Sequence, residues 1–205
     1  MDIWPVIHAE RKALAGDLGA LQEAQWSTAS LCTEWTVRDV LAHMTATAKM
    51  SPAGFVAKIA GSGFNFGKLQ SKEIAAEKGA SAADTLARFE AIMTSTGHPP
   101  GPPDTMLGET IVHSEDIRRA LGLKHAYPTE AVVQAADFFK RSNLIIGTKR
   151  RITGLKLRAT DTQWSAGEGP EVAGPMLDLL MAMTGRKSAA GELTGEGAET
   201  LAARP

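Results

Sequence analysis

Glu109 and His113 stand four residues apart in the run Glu109-Thr110-Ile111-Val112-His113. On an α-helix that spacing puts both side chains on one face, with Cβ atoms about 5–6 Å apart. A carboxylate and an imidazole so placed can bind one divalent metal ion at about 2.0–2.2 Å. A third candidate ligand, His43, lies on a different segment, seven residues after Thr36. Helical bundles commonly build metal sites from side chains of facing helices. Two histidines and one carboxylate leave a fourth position open, the pattern of a catalytic rather than a structural zinc. Plainer readings fit the same residues: a solvated Glu–His helix pair, and a hydrogen-bonded core histidine. Asp116, three residues beyond His113, can orient that histidine from behind or pair with Arg119.

The segments that must position these residues read as helices. Trp4, Ile7, Leu14, Leu18 and Leu21 recur at helical spacing, predicting a first helix over about 2–25 with Asp2 as its cap. Thr36-Val37-Arg38-Asp39 is a helix start with an acid three residues after the cap; this second helix should run to about 59. A loop over 61–67 and a third helix over about 72–95 follow. The proline-rich stretch from His98 to Pro103 cannot be helix interior. Asp104 can cap a fourth helix, about 105–121, with Gly122 as its closing glycine and Arg118 and Arg119 in the last turn. A fifth helix starts at Pro128-Thr129 and should reach about 146. After Arg151 the pattern changes. Leu155, Leu157 and Ala159 alternate with Lys156, Arg158 and Thr160, as in a half-buried strand. Residues 163–165 and 171–172 flank a glycine-rich stretch and suggest a hairpin. An apolar helix over 175–184 and a last helical turn over 197–203 complete the chain. The fold class read from this is mainly α: a helical bundle over 1–150, then a small α+β domain over 151–205.

The run Leu31-Cys32-Thr33-Glu34-Trp35-Thr36-Val37-Arg38-Asp39-Val40-Leu41-Ala42-His43 resembles the N-terminal signature of the mycothiol-dependent maleylpyruvate isomerase family, a branch of the DinB-like bundles. Glu109-Thr110-Ile111-Val112-His113-Ser114-Glu115-Asp116-Ile117-Arg118-Arg119-Ala120-Leu121-Gly122 is similar to the family's second motif, and 159–164 with 179–186 to its small C-terminal domain. The resemblance implies a DinB-like antiparallel four-helix bundle. It also implies zinc or another divalent metal on His43, Glu109 and His113, and mycothiol as cofactor. It leaves the substrate open.

Three functions compete. The first is a thiol-dependent metalloenzyme of isomerase or S-transferase type, acting on a small electrophile. The others are a metal-dependent hydrolase and a non-enzymatic protein that binds a metal or small ligand. Arg158 on the strand and Arg186 after the apolar helix are candidate catalytic contacts to a substrate carboxylate. Cys32 is the one cysteine, so no internal disulfide forms. It should be a buried apolar group near the bundle's end, away from the ion. His8, His98 and His125 should be surface or loop residues, with no acid or cysteine at metal spacing beside them. Ser30, Ser51 and Ser114 lack the setting of a nucleophile, and the glycines of 167–174 lack that of a phosphate loop. The 22 basic and 23 acidic residues give a net charge of -1, which argues against nucleic acid and membrane partners. The reading is a cytoplasmic monomer or homodimer.

Overall fold

A computed structural model describes residues 1–32, 34–143 and 146–204. The chain forms two compact units, Met1–His125 and Ala126–Pro205. The change of sequence character near residue 150 therefore falls inside the second unit.

The first unit is a helical bundle: α1 Trp4–Leu18, α2 Val37–Lys49, α3 Pro52–Gly61, α4 Phe66–Lys78, α5 Ala82–Glu90 and α6 Asp104–Ala120. Helix α2 is its hub, packing against α4, α5 and α6, while α1 packs against α5 and α6. Leu14, Leu18, Trp26, Val37, Val40, Leu41, Met44, Phe89 and Ile117 make one contiguous apolar core. Burying each such side chain is worth about 1.5–3 kcal/mol against leaving it in water.

The start of α2 is as its sequence dictates. Thr36 Oγ1 accepts from the Asp39 backbone N–H at 3.2 Å, and the Asp39 carboxylate accepts from the Thr36 N–H at 3.0 Å. The end of α6 follows its sequence too. Gly122 takes φ +69°, its N–H donates to Arg119 O, and the Leu123 N–H donates to Arg118 O at 2.8 Å. That pair of bonds satisfies carbonyls the helix leaves open, and the left-handed turn favours glycine.

The helix lengths need correction. The first helix stops at Leu18, near Gly19, and Glu23–Ser27 is a separate 3-10 turn. The segment expected as one helix to 59 is two, α2 and α3. Ser51 caps α3 by accepting from the Gly54 N–H at 3.1 Å, and Pro52 sits in its first turn, so the two form a start signal within an apparently continuous run. No residue of α3 is buried. The helix expected over 72–95 is likewise two. Helix α4 starts inside the expected loop, capped by Asn65, and ends at Gly79, whose φ is +66° and where a Cβ would lie 2.7 Å from Asp84 Cβ. Ser81 and Asp84 then build a capping box for α5. Asp104 is the first residue of α6, not its cap.

The second unit contains α7 Thr129–Phe139, α8 Thr148–Ile152, β1 Lys156–Ala159, β2 Ser165–Ala166, β3 Glu171–Gly174, α9 Met176–Met183, α10 Lys187–Ala190 and α11 Ala198–Ala203. Helix α7 is shorter than expected; the chain turns through Lys140 to Ser142, and residues 144–145 of the expected helix lie outside the described residues. The sheet order is β2-β1-β3, with β2 antiparallel and β3 parallel to β1. The expected hairpin between 163–165 and 171–172 is thus replaced by two strands on opposite edges of β1. The glycine-rich link crosses the start of β1 at backbone distance: a Cβ on Gly167 would lie 2.2 Å from Leu155 O. Leu157 and Ala159 face the core while Lys156 and Arg158 face water, as the alternation requires.

Candidate metal centre

His43 sits in the middle of α2, two turns after the Thr36 cap, and Glu109 and His113 share one face of α6. Because α2 packs on α6, the three side chains meet. His43 Nε2 is 3.2 Å from Glu109 Oε1, and His113 Nε2 is 3.7 Å from Glu109 Oε2. One ligand atom from each of the three lies within 4.8 Å of the others. A tetrahedral ion with arms of 2.0–2.1 Å needs ligand atoms about 3.4 Å apart, and these separations, one to each oxygen of Glu109, lie on either side of that value. The donor set also fits a cation by its unmet polarity. Glu109 Oε1 is buried and has no hydrogen-bond partner of acceptable geometry, and a buried carboxylate oxygen is costly to leave unmatched.

The carboxylate stays charged. Burial alone would raise the Glu109 pKa, but the His43 and His113 imidazoles, with polar contacts from His43 and Thr47, outweigh burial and bring it down to about 2. Because the folded value lies below the unfolded one of about 4.3, this group stabilises the fold fully above that unfolded value and loses its contribution as pH falls toward about 2. Denaturant unfolding of metal-free protein between those limits should show a steeper pH dependence for wild type than for Glu109→Gln. Equal slopes would contradict the assignment.

Further groups hold the ligands in place. Asp116, fully buried, receives His113 Nδ1–H at 2.9 Å. That bond fixes the tautomer, leaving Nε2 with its lone pair toward Glu109. Arg119 Nε donates to Glu115, at 2.7 Å. The Trp35 ring lies 4.8 Å from that of His43 and 6.2 Å from that of His113, as an apolar wall to both. Arg11, buried on α1, donates Nη1 to the carbonyls of Ile92 and Ser95. Burial lowers its pKa to about 10, against the opposing pull of the Glu109 charge.

The roles of Trp35, Thr47 and Arg11 were not read from the sequence, where nothing but Trp35's place in the motif pointed to them. Cys32 is placed differently from the expectation. Its Sγ lies within 4.8 Å of a ring nitrogen of His113 and a carboxylate oxygen of Asp116, instead of away from the ligands. The reason is a tight turn. The Ser30 N–H donates to Trp35 O, the Leu31 N–H donates to Asp116 O at 3.2 Å, and Ser30 Oγ donates to Trp35 O, folding the segment back onto α6. His125 Nε2 lies 2.7 Å from a carboxylate oxygen of Glu10, distant in sequence. Trp4 stacks near His8 and His98. Arg158 is exposed on β1 and pairs with Glu171 at 2.9 Å, while Arg186 is half-buried ahead of α10 and donates to Thr184 O. Both belong to the second unit.

Comparison with known proteins bears on these residues. The family model described as the mycothiol maleylpyruvate isomerase N-terminal domain matches residues 7–118, which include all three candidate ligands. A crystal structure of the mycothiol-dependent maleylpyruvate isomerase is similar to the chain with a TM-score of 0.60 at 16% identity, covering 95% of this chain and 92% of that one. A histidine-to-alanine mutant of that isomerase gives 0.61 at 15% identity over the same shares. These likenesses show the fold. No curated protein sequence matches the chain. Among the described residues, no helix is long and apolar enough to cross a membrane.

Proposed function

The chain belongs to the mycothiol maleylpyruvate isomerase N-terminal domain family, and from that premise we propose that it is a zinc-dependent enzyme using a low-molecular-weight thiol, mycothiol, in an isomerase or S-transferase reaction on a small electrophile. The observation that carries this reading is the convergence of His43, Glu109 and His113 around a buried carboxylate oxygen that has no hydrogen bond of acceptable geometry. When bound, the ion would keep the thiol as its thiolate, the nucleophilic form.

The chain's own residues divide the remaining work. His43, Glu109 and His113 would hold the ion, and Glu109 would supply one negative charge toward neutralising it. Asp116 holds a proton on His113 Nδ1, which leaves Nε2 available to the ion. Trp35 covers one side of both imidazoles and keeps water from them. Arg158 and Arg186 are proposed for a substrate carboxylate; Arg158 would first have to leave Glu171.

The test uses cobalt-substituted protein. Adding mycothiol should produce a sulfur-to-cobalt charge-transfer band, and glutathione a weaker one. If no small thiol gives a band while cobalt stays bound, the thiol reading fails. Ester or amide cleavage without thiol would then favour a hydrolase, in which the ion lowers the pKa of water.

A further inference from the structure

We propose that the chain carries a second, sulfur-containing ligand set, formed by Cys32, His113 and Asp116, which takes a thiophilic divalent cation such as Cd2+ through the opposite edge of the shared imidazole. One ligand atom from each of these residues lies within 4.8 Å of the other two. They approach from two directions. His113 and Asp116 come from α6, and Cys32 from the turn that Ser30 and the Leu31-to-Asp116 bond hold against it. Glu34, two residues on, takes φ +71°. That conformation is uncommon for a residue other than glycine.

His113 has two edges. Nε2 faces Glu109 at 3.7 Å and Nδ1 faces Asp116 at 2.9 Å. The first edge belongs to a nitrogen- and oxygen-rich set, the second to a set that contains a thiol. Thiolate sulfur selects softer cations than carboxylate and imidazole do, so the two sets differ in the ion they prefer. Filling the second releases the Cys32 thiol proton to solvent. A neutral His113 then carries its single ring proton on Nε2, the edge toward Glu109, and offers the Nδ1 lone pair to the cation. Asp116 exchanges its hydrogen bond for a bond to the same ion. The neutral imidazole can serve one edge at a time, so the two sets are alternatives, and a soft cation at the second would disable the first. This inference does not depend on the thiol-cofactor reading.

Cadmium titration of the metal-free full chain, with no thiol added, tests it. Cys32 is the one cysteine, so a thiolate-to-cadmium charge-transfer band in the ultraviolet reports that residue alone. Wild type and His43→Ala should both develop the band and saturate at one ion per chain. Cys32→Ser and Cys32→Ala should bind cadmium without it. In His113→Ala, half-saturation of the band should need at least about ten-fold more cadmium. Three results would overturn the proposal: no band where equilibrium dialysis shows one cadmium bound, a His113→Ala titration that superimposes on wild type, or saturation at one cadmium per two chains, which would mean a bridge between copies. A band in cadmium titrations together with no mycothiol band in the cobalt protein would support this set and remove the thiol-cofactor reading, so the two failures are distinguishable.

Discussion

Purified His113→Ala protein is expected to retain roughly a tenth or less of the divalent metal that wild type holds after dialysis. The size of the effect follows from the number of ligands. With three protein ligands, losing one leaves His43 and Glu109 on different helices with no imidazole between Glu109 and Asp116. Loss even of a residue that only supports a ligand costs about 10–100-fold in affinity, and loss of a ligand itself should cost more. Elemental analysis of dialysed protein measures it. His125→Ala is the matched control: it removes an imidazole that is bound to Glu10 and takes no part in either ligand set, and it should keep the metal. Full occupancy in His113→Ala would show that the ion, if present, sits elsewhere.

The candidate site was more legible in the sequence than the helices that carry it. Glu109 and His113 are fixed relative to one another by helix periodicity, which needs no knowledge of the rest of the fold. That His43 would meet them depends on how α2 packs on α6, which periodicity does not specify; there the motif resemblance supplied what spacing could not. Helix existence was legible from apolar recurrence, but helix ends were not, because Ser51-Pro52 and Ser81 lie inside runs whose apolar spacing continues past them. The caps that break α2 from α3 and α4 from α5 are local hydrogen bonds from single side chains, and they outcompete the periodic pattern. The sheet order was not legible at all. Nothing local tells a hairpin from a crossover; what decides it is that Gly167 can pass against Leu155 O where any side chain would collide. Cys32 was misplaced for a similar reason. Its position depends on the Leu31-to-Asp116 backbone bond, a contact across 85 residues that carries no side-chain signal.

Asp116→Asn is expected to weaken zinc binding by about 10–100-fold while leaving the fold in place. The residue touches no ion in the first ligand set; it acts through His113, whose Nδ1–H it accepts at 2.9 Å. A carboxylate there does two things. It makes the imidazole a better electron donor at Nε2, and it selects the tautomer in which Nε2 is free to bind. Asparagine keeps the shape, and its amide oxygen can still accept from Nδ1–H, but it carries no charge. If the amide is turned the other way, its NH2 faces Nδ1 and drives the ring proton to Nε2, which blocks the metal edge. Both outcomes lower affinity, and neither removes a ligand. A merely structural role for this fully buried group predicts something different: lost thermal stability in the metal-free protein, with unchanged affinity in the fraction that remains folded. Competition against a chromogenic chelator gives the zinc dissociation constant, and melting of the metal-free variant gives the second quantity. Wild-type zinc affinity in Asp116→Asn would show that His113 is oriented by the helix alone and that the bond to Asp116 has no part in holding the metal.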